Sequence, residues 1–246
     1  MKRVKRRIFA GVICEQEVYY VADDVDVKQA RPPRQRFKTE EEREKHRNEI
    51  SRRKFVNKVN ENFGPSSSYV TLTFDEDNEC HDPKSCRQLM NRYIRRLKYR
   101  YPEAVIAAVY GQGKTTSRFH IHMLIEGIPK EYILAQWTYG NVTDCRGLRE
   151  HNIYDGVDHG RDYTALANYL FNHWKPEYGG HRYFMTRNAR EPETETPREA
   201  KREYSETRPP RAPKGYMLVE IRNTPYGYLY FKYVKIPEKQ DRRKRE

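Results

Sequence analysis

The sequence predicts an α+β protein with one main domain and extensions, and three observations carry that expectation. Runs rich in β-branched and aromatic residues recur at 69–74, 104–110, 118–126, 216–221 and 228–236; charged or amphipathic helical segments lie between them; and a chain of 246 residues is long enough to bury one full core. Lys plus Arg number 48 against 35 Asp plus Glu, a net charge of +13, so a polyanion is the natural partner and nucleic acid leads. The 20 tyrosines add buried area and flat faces on which bases stack. Apolar runs are short, and the basic start Met1 to Arg7 is followed only by Ile8 to Cys14 with no cleavage signal, so neither a membrane span nor secretion is expected. Four scattered cysteines (Cys14, Cys80, Cys86, Cys145) without C-x-x-C spacing fit a reducing cytoplasm.

Residues 8–22 read as two short strand-like runs separated at Glu15 to Glu17, before Pro32-Pro33 breaks the pattern. Thr39 with Glu42 three residues on is a capping box for a charged helix ending before Gly64-Pro65, so residues 1–64 form an N-terminal arm and helix. YVTLTF at 69–74 alternates as a half-buried strand. From Lys84 to Tyr101, Leu89, Tyr93, Leu97 and Tyr101 recur every four residues on a basic helix, led in by Asp82-Pro83. Residues 104–110 and 118–126 form a hairpin, a short helix follows near 128–136, and 140–160 is loop-like. Residues 161–174 read as a helix with Asp162 as its cap and Pro176 as its stop. The charged, proline-rich stretch 193–214 is an exposed excursion, 215–236 a terminal hairpin joining the core, and 237–246 a basic tail.

Ala108 to Thr115 satisfies a relaxed phosphate-loop pattern, but such a loop needs a helix beginning at Lys114-Thr115, whereas a strand resumes at Arg118. A hairpin turn is the better reading, and no ATPase is expected. Cys80, His81 and Cys86 lack a matching pair for a zinc site. His120 and His122 stand at i and i+2, so on a strand both imidazoles leave one face and can converge on one cation, while Phe119, Ile121, Met123 and Ile125 leave the other. Tyr169, on the 161–174 helix, offers a hydroxyl that a nearby metal-polarised phosphate would make an effective nucleophile. Tyr163 lies six residues earlier and about 120° away around the helix, so it packs rather than serving as a second nucleophile.

Taken in order, YVTLTF (69–74), FHIHMLI (119–125), LANYLFNHW (166–174) and YFMTRNAREP (183–192) resemble the motifs of HUH endonucleases, specifically the single-domain rolling-circle replication initiators of phages and small plasmids. The resemblance implies an antiparallel sheet with flanking helices, related to palm and RNA-recognition folds, in a nuclease core at 65–192. It implies that Tyr169 attacks a DNA phosphodiester, keeping a 5′-phosphotyrosine link and releasing a 3′-OH that primes replication. His120 and His122 would hold Mn²⁺ or Mg²⁺. His173, four residues and about 40° beyond Tyr169 on the helix, is the expected third ligand, with Gln112 as the alternative. The family often places Lys three residues after the tyrosine; this chain has Asn172, so Lys175 or Arg187 is expected to supply that charge. Thr71, Thr73, Arg92 and Arg96 complete the expected DNA contacts. A single-stranded origin, in hairpin form or not, and a host helicase and polymerase are the expected partners. A mobilisation relaxase or transposase of the same chemistry, or a non-catalytic nucleic-acid-binding module, are the rival readings.

Overall fold

The computed structural model describes residues 1–32, 38–113, 118–175, 181–223 and 228–237. They fall into two compact units: Met1–Arg43, His151–Asp162 and Pro192–Glu246 form one, and Glu44–Glu150 with Tyr163–Glu191 the other. The fold is α+β with antiparallel sheets, as the sequence predicts. Lys114 and Thr115 lie outside the described residues, as do Pro176 and the tail from 238; the chain on the far side of the turn enters a strand at Phe119, not a helix.

In the first unit β1 (Lys2–Ala10) and β2 (Ile13–Val21) pair antiparallel. The terminal strands β12 (Tyr216–Asn223) and β13 (Leu229–Lys235) extend this sheet through β2, so the hairpin at 215–236 joins the N-terminal strands and not the sheet that holds the histidines. The expected break at Glu15 to Glu17 is instead the middle of one strand. Their carboxylates are tolerated inside because Tyr230 donates its hydroxyl to Glu15 at 2.7 Å, Tyr228 donates to Glu17 at 2.7 Å, and Arg6 pairs with Glu17. The proline-rich stretch is likewise no excursion. Its two-residue strands β10 (Glu193–Thr194) and β11 (Arg198–Glu199) pair with β1. Beyond them the segment hands backbone carbonyls to the sheet: Arg202 O accepts from Arg3 at 2.9 Å, Pro210 O from Tyr233 at 2.9 Å and Arg211 O from Arg7 at 3.3 Å. Tyr204 and Ala212 cover Cys14, Val18, Phe231 and Tyr233. The inserted hairpin β7 (Ile153–Tyr154) and β8 (Val157–Asp158) turns through two left-handed residues, Asp155 (φ 50°) and Gly156 (φ 75°), the pairing a two-residue hairpin turn demands.

The second unit is built on β3 (Ser68–Thr73), β4 (Val105–Gln112), β5 (Phe119–Glu126), β6 (Val142–Gly147) and β9 (Phe184–Met185), in the order β6-β3-β5-β4-β9. Side chains alternate between its faces. Val70, Leu72, Ile106, Ala108, Ile121, Met123 and Ile125 form one face and bury against Met90, Tyr93, Ile94 and Leu97 of α2 (Pro83–Arg100). Asp82 caps α2 by accepting from the backbone N–H of Lys84 and Ser85, and Pro83 opens the helix where no N–H is needed. The short α3 (Lys130–Ala135) closes that core with Ile133, whose carbonyl takes the Tyr93 hydroxyl at 2.8 Å.

The other two helices serve the opposite face. α4 (Thr164–Phe171) is shorter than the predicted 161–174, and α1 (Glu40–Asn62) packs on it through Phe55 and Phe171, ring centroids 6.0 Å apart. Asp162 does not cap α4: Tyr163 occupies that position without a side-chain cap, its N–H is taken by Asn60 Oδ1 at 2.9 Å, and the Asp162 carboxylate accepts from Lys232 instead.

Candidate functional site

Register decides which side chains meet. In β5, His120 lies opposite Thr73 and Gly111, and His122 opposite Thr71 and Val109. Both histidines therefore share a face with Tyr69, Thr71 and Thr73 of β3, away from α2. The end of α4 comes down on this face, with His173 in the turn just past its last residue. That approach is close because β4 carries glycine opposite His120: a Cβ on Gly111 would sit 2.8 Å from the His173 carbonyl oxygen and 3.0 Å from its Cβ.

His120, His122 and His173 thus form a cluster whose ligand nitrogens all lie within 4.8 Å of one another. The Nε2 atoms of His122 and His173 are 3.1 Å apart. Two nitrogens bound about 2.1 Å from one ion at octahedral or tetrahedral angles are separated by roughly 3.0–3.4 Å, so the spacing suits a shared cation. The tautomers agree. Tyr169 O is a pure acceptor 2.9 Å from His173 Nδ1, so that nitrogen donates and Nε2 keeps its lone pair. On His122, Nδ1 lies 2.9 Å from the Tyr69 hydroxyl and 3.1 Å from Thr71 Oγ1, which leaves Nε2 facing His173. Burial is the main force on all three pKa values, and each is lowered. His122, only 4% exposed, falls to about 3 through desolvation first and then its neighbours His173 and His120. His120 follows with desolvation and His173 as causes, and His173 through desolvation. Neutral imidazoles are the metal-binding form.

Tyr169 stands beside this cluster, 50% exposed, with its ring centroid 4.6 Å from that of His173 and 5.6 Å from that of His122. Tyr163 is 2% exposed and spends its hydroxyl on Arg149 O at 2.9 Å. Next to Tyr169 opens a cavity of about 500 Å³ lined by Tyr69, Thr71, His122, Asp144, Arg146 and Leu166, among others.

The remaining expected residues scatter. Gln112 pairs with Phe119 and so takes the face opposite His120; His173, not Gln112, completes the cluster. The Thr71 hydroxyl is held by Tyr69 and His122, and that of Thr73 donates to Asn141 O at 3.1 Å. Arg92 and Arg96 ride on α2, on the far face of the sheet from the histidines; Arg92 is exposed, while Arg96 lies 4.9 Å over the Tyr139 ring and donates to Thr138. Lys175 and Arg187 are exposed. Cys80 and Cys86 are buried free thiols outside the metal-competent cluster. Sequence reading missed Tyr69 as a partner of His122, although its place two strand residues before Thr71 sets it on the histidine face once the register is known. It also missed Asp144 and Arg146, which sat in a stretch read as loop.

A histidine triad with an adjacent, half-exposed tyrosine on an antiparallel sheet defines a protein equipped for metal-assisted chemistry on a phosphate. Residues 67–177, just under half of the chain, match the family model of the replication-associated protein ORF2, and this span contains β3, both strand histidines, Tyr169 and His173. The match supports a role in replication. No curated protein and no solved structure matches the chain. Among the described residues no helix is long and apolar enough to cross a membrane.

Proposed function

We propose that this protein is a metal-dependent single-strand DNA nickase and ligase of the HUH type that starts rolling-circle replication, with Tyr169 as nucleophile. The observation that carries the reading is the convergence of His120, His122, His173 and Tyr169 on one sheet face, inside the span that matches a replication-associated family. A divalent cation held by the three imidazoles supplies positive charge to the scissile phosphate, and an all-nitrogen donor set suits Mn²⁺ better than Mg²⁺.

The chain's own part is positioning. Tyr169 Oη attacks phosphorus, the bond from phosphorus to the 3′ oxygen breaks, and the proton lost by the phenol is matched by one gained at the departing oxygen. The products are a 5′-phosphotyrosine and a free 3′-OH, and attack by a 3′-OH on that phosphotyrosine reverses the step and joins strands. His173 hydrogen-bonds the backbone of Tyr169 itself, so the nucleophile and one metal ligand move as a unit. Lys175 and Arg187 supply the phosphate charge that Asn172 lacks, and Arg92 and Arg96, across the sheet, serve the strand farther from the break. The origin is a single strand, opened by a host helicase and extended by a host polymerase in the cytoplasm.

Incubation with a library of single-stranded oligonucleotides and Mn²⁺ tests the reading. A covalent adduct whose peptide maps to Tyr169, absent from Tyr169→Phe while strand binding persists, is the expected result. Absence of any adduct across the library, or an adduct on another tyrosine, overturns it.

A further inference from the structure

The cavity beside Tyr169 has a wall that the phosphate chemistry leaves unused. β6 pairs with β3 so that Asp144 lies opposite Thr71 and Arg146 opposite Tyr69. Alternation then puts both side chains on the histidine face, and a single row runs across three strands from Asp144 through Thr71 to His122. Strands are spaced about 4.8 Å, so Asp144 stands roughly 10 Å from the strand of the metal ligands, within one to two nucleotides of a phosphate held there. Arg146 lies over the Tyr69 ring, its guanidinium carbon 5.2 Å from the centroid, and its Nε is 3.4 Å from Asp144 Oδ2. The pair is open to solvent, at 63% and 34% side-chain exposure, and so is available to a ligand. Ala165 and Leu166 of α4 give the cavity an apolar wall.

We propose that this cavity is a base-reading pocket selective for guanine in the strand next to the break, with Asp144 and Arg146 as the reading residues; it rests on the nuclease reading above for the identity of the strand. A single-stranded base exposes its Watson–Crick edge. Side by side, a guanidinium N–H and two carboxylate oxygens present donor, acceptor, acceptor, the order that cytosine presents to guanine. Guanine answers with O6, N1–H and N2–H. Adenine and cytosine each set a ring-nitrogen lone pair against the carboxylate, and thymine offers it a single N–H flanked by carbonyl oxygens. The cavity's volume of about 500 Å³ accepts a nucleotide, and the flat Tyr69–Arg146 stack fixes the guanidinium in plane.

The test uses the full chain in two arms. In the first, strands cut by the wild type from a random pool are sequenced, and the selected strand is remade with inosine, which lacks the N2 amine, in place of each guanine. The expected result is one guanine within two nucleotides of the break whose replacement by inosine slows cutting about tenfold, the scale of a lost base contact. In Asp144→Asn that guanine-to-inosine ratio should fall toward one, while Arg146→Gln should weaken all guanine contacts through O6 and leave the ratio in place. In the second arm, equilibrium binding of the same strands to Tyr169→Phe reads the preference without cutting. Cutting with no guanine dependence near the break overturns the pocket and spares the nuclease; guanine-dependent binding with no cutting by the wild type overturns the nuclease and spares the pocket.

Discussion

The two faces of the β6-β3-β5-β4-β9 sheet are made from the same strands and have opposite fates. On one, Leu72, Ile121 and Met123 are fully buried against α2; on the other, one residue along, Tyr69, Thr71, His120 and His122 face α4 and the cavity. Strand period two is enough to divide one peptide into a core and a site. Rigidity on the first face is what lets the second hold two imidazoles at fixed spacing, since strand residues are placed more firmly than loop residues. The difference predicts that neighbouring substitutions should separate cleanly. Ile121→Ala removes a fully buried side chain and should cost about 2–5 kcal/mol in denaturant unfolding. At temperatures where it stays folded, its Mn²⁺ affinity should be near that of the wild type. His122→Ala should do the reverse, abolishing measurable Mn²⁺ binding while unfolding at a denaturant concentration closer to the wild type. If both variants lose metal and stability together, the faces are not independent.

Acid should expose the same division through linkage. Burial keeps the folded-state pKa of His120, His122 and His173 below the ordinary histidine value of 6.5, with His122 at about 3. The unfolded chain therefore takes up protons first as pH falls. The favourable contribution of these neutral histidines is complete above about pH 6.5 and is lost progressively below it, down toward pH 3 for His122. Metal-free protein should lose stability across that window, and His122→Ala should lose it less steeply. Equal slopes in the two proteins would contradict the burial of His122.

Much of this face was legible from sequence, and the reasons are local. The i, i+2 histidines, the strand at 69–74, the Asp82-Pro83 start of α2 and the tyrosine on α4 all follow from short-range periodicity and capping. What escaped depends on partners far along the chain. Glu15 and Glu17 looked like a strand break because their hydrogen-bonding tyrosines, Tyr230 and Tyr228, lie more than two hundred residues away. The prolines of 193–214 looked like a linker because the sheet it covers is built from both ends of the chain. Gln112 and His173 could not be separated until the register set Gln112 beside Phe119 and Gly111 beside His120.

Gly111 sharpens the comparison at the point where α4 meets the site face. Its neighbour Tyr110 points into the α2 core, whereas a methyl group on Gly111 would meet the backbone of His173 at 2.8 Å, and backbone cannot swing aside as a side-chain tip can. Gly111→Ala should therefore displace His173 and its coupled Tyr169, lowering Mn²⁺ affinity on the order of tenfold or more. An unchanged affinity would mean that the turn after Phe171 yields freely and that His173 is not held by this contact.

The smallest expected effect comes from Tyr69, the one aromatic residue of β3 on the histidine face. Its hydroxyl is 2.9 Å from His122 Nδ1 and 3.1 Å from Thr71 Oγ1, and Thr71 is itself 3.1 Å from the same nitrogen, so two hydroxyls share the task of orienting one imidazole. Losing a partner of a metal-bound histidine commonly costs about 10–100-fold in affinity, but here Thr71 remains to accept from Nδ1 when Tyr69→Phe removes the first hydroxyl. The single change should therefore lower Mn²⁺ affinity only several-fold, at most about tenfold, and Thr71→Val a similar amount. The double variant removes both acceptors and frees the His122 ring to adopt either tautomer, so its loss should exceed the sum of the single losses in free energy. Titrations of the four proteins with Mn²⁺ measure the coupling directly. Additive losses would show that the two hydroxyls act separately and that His122 is oriented by packing rather than by this pair.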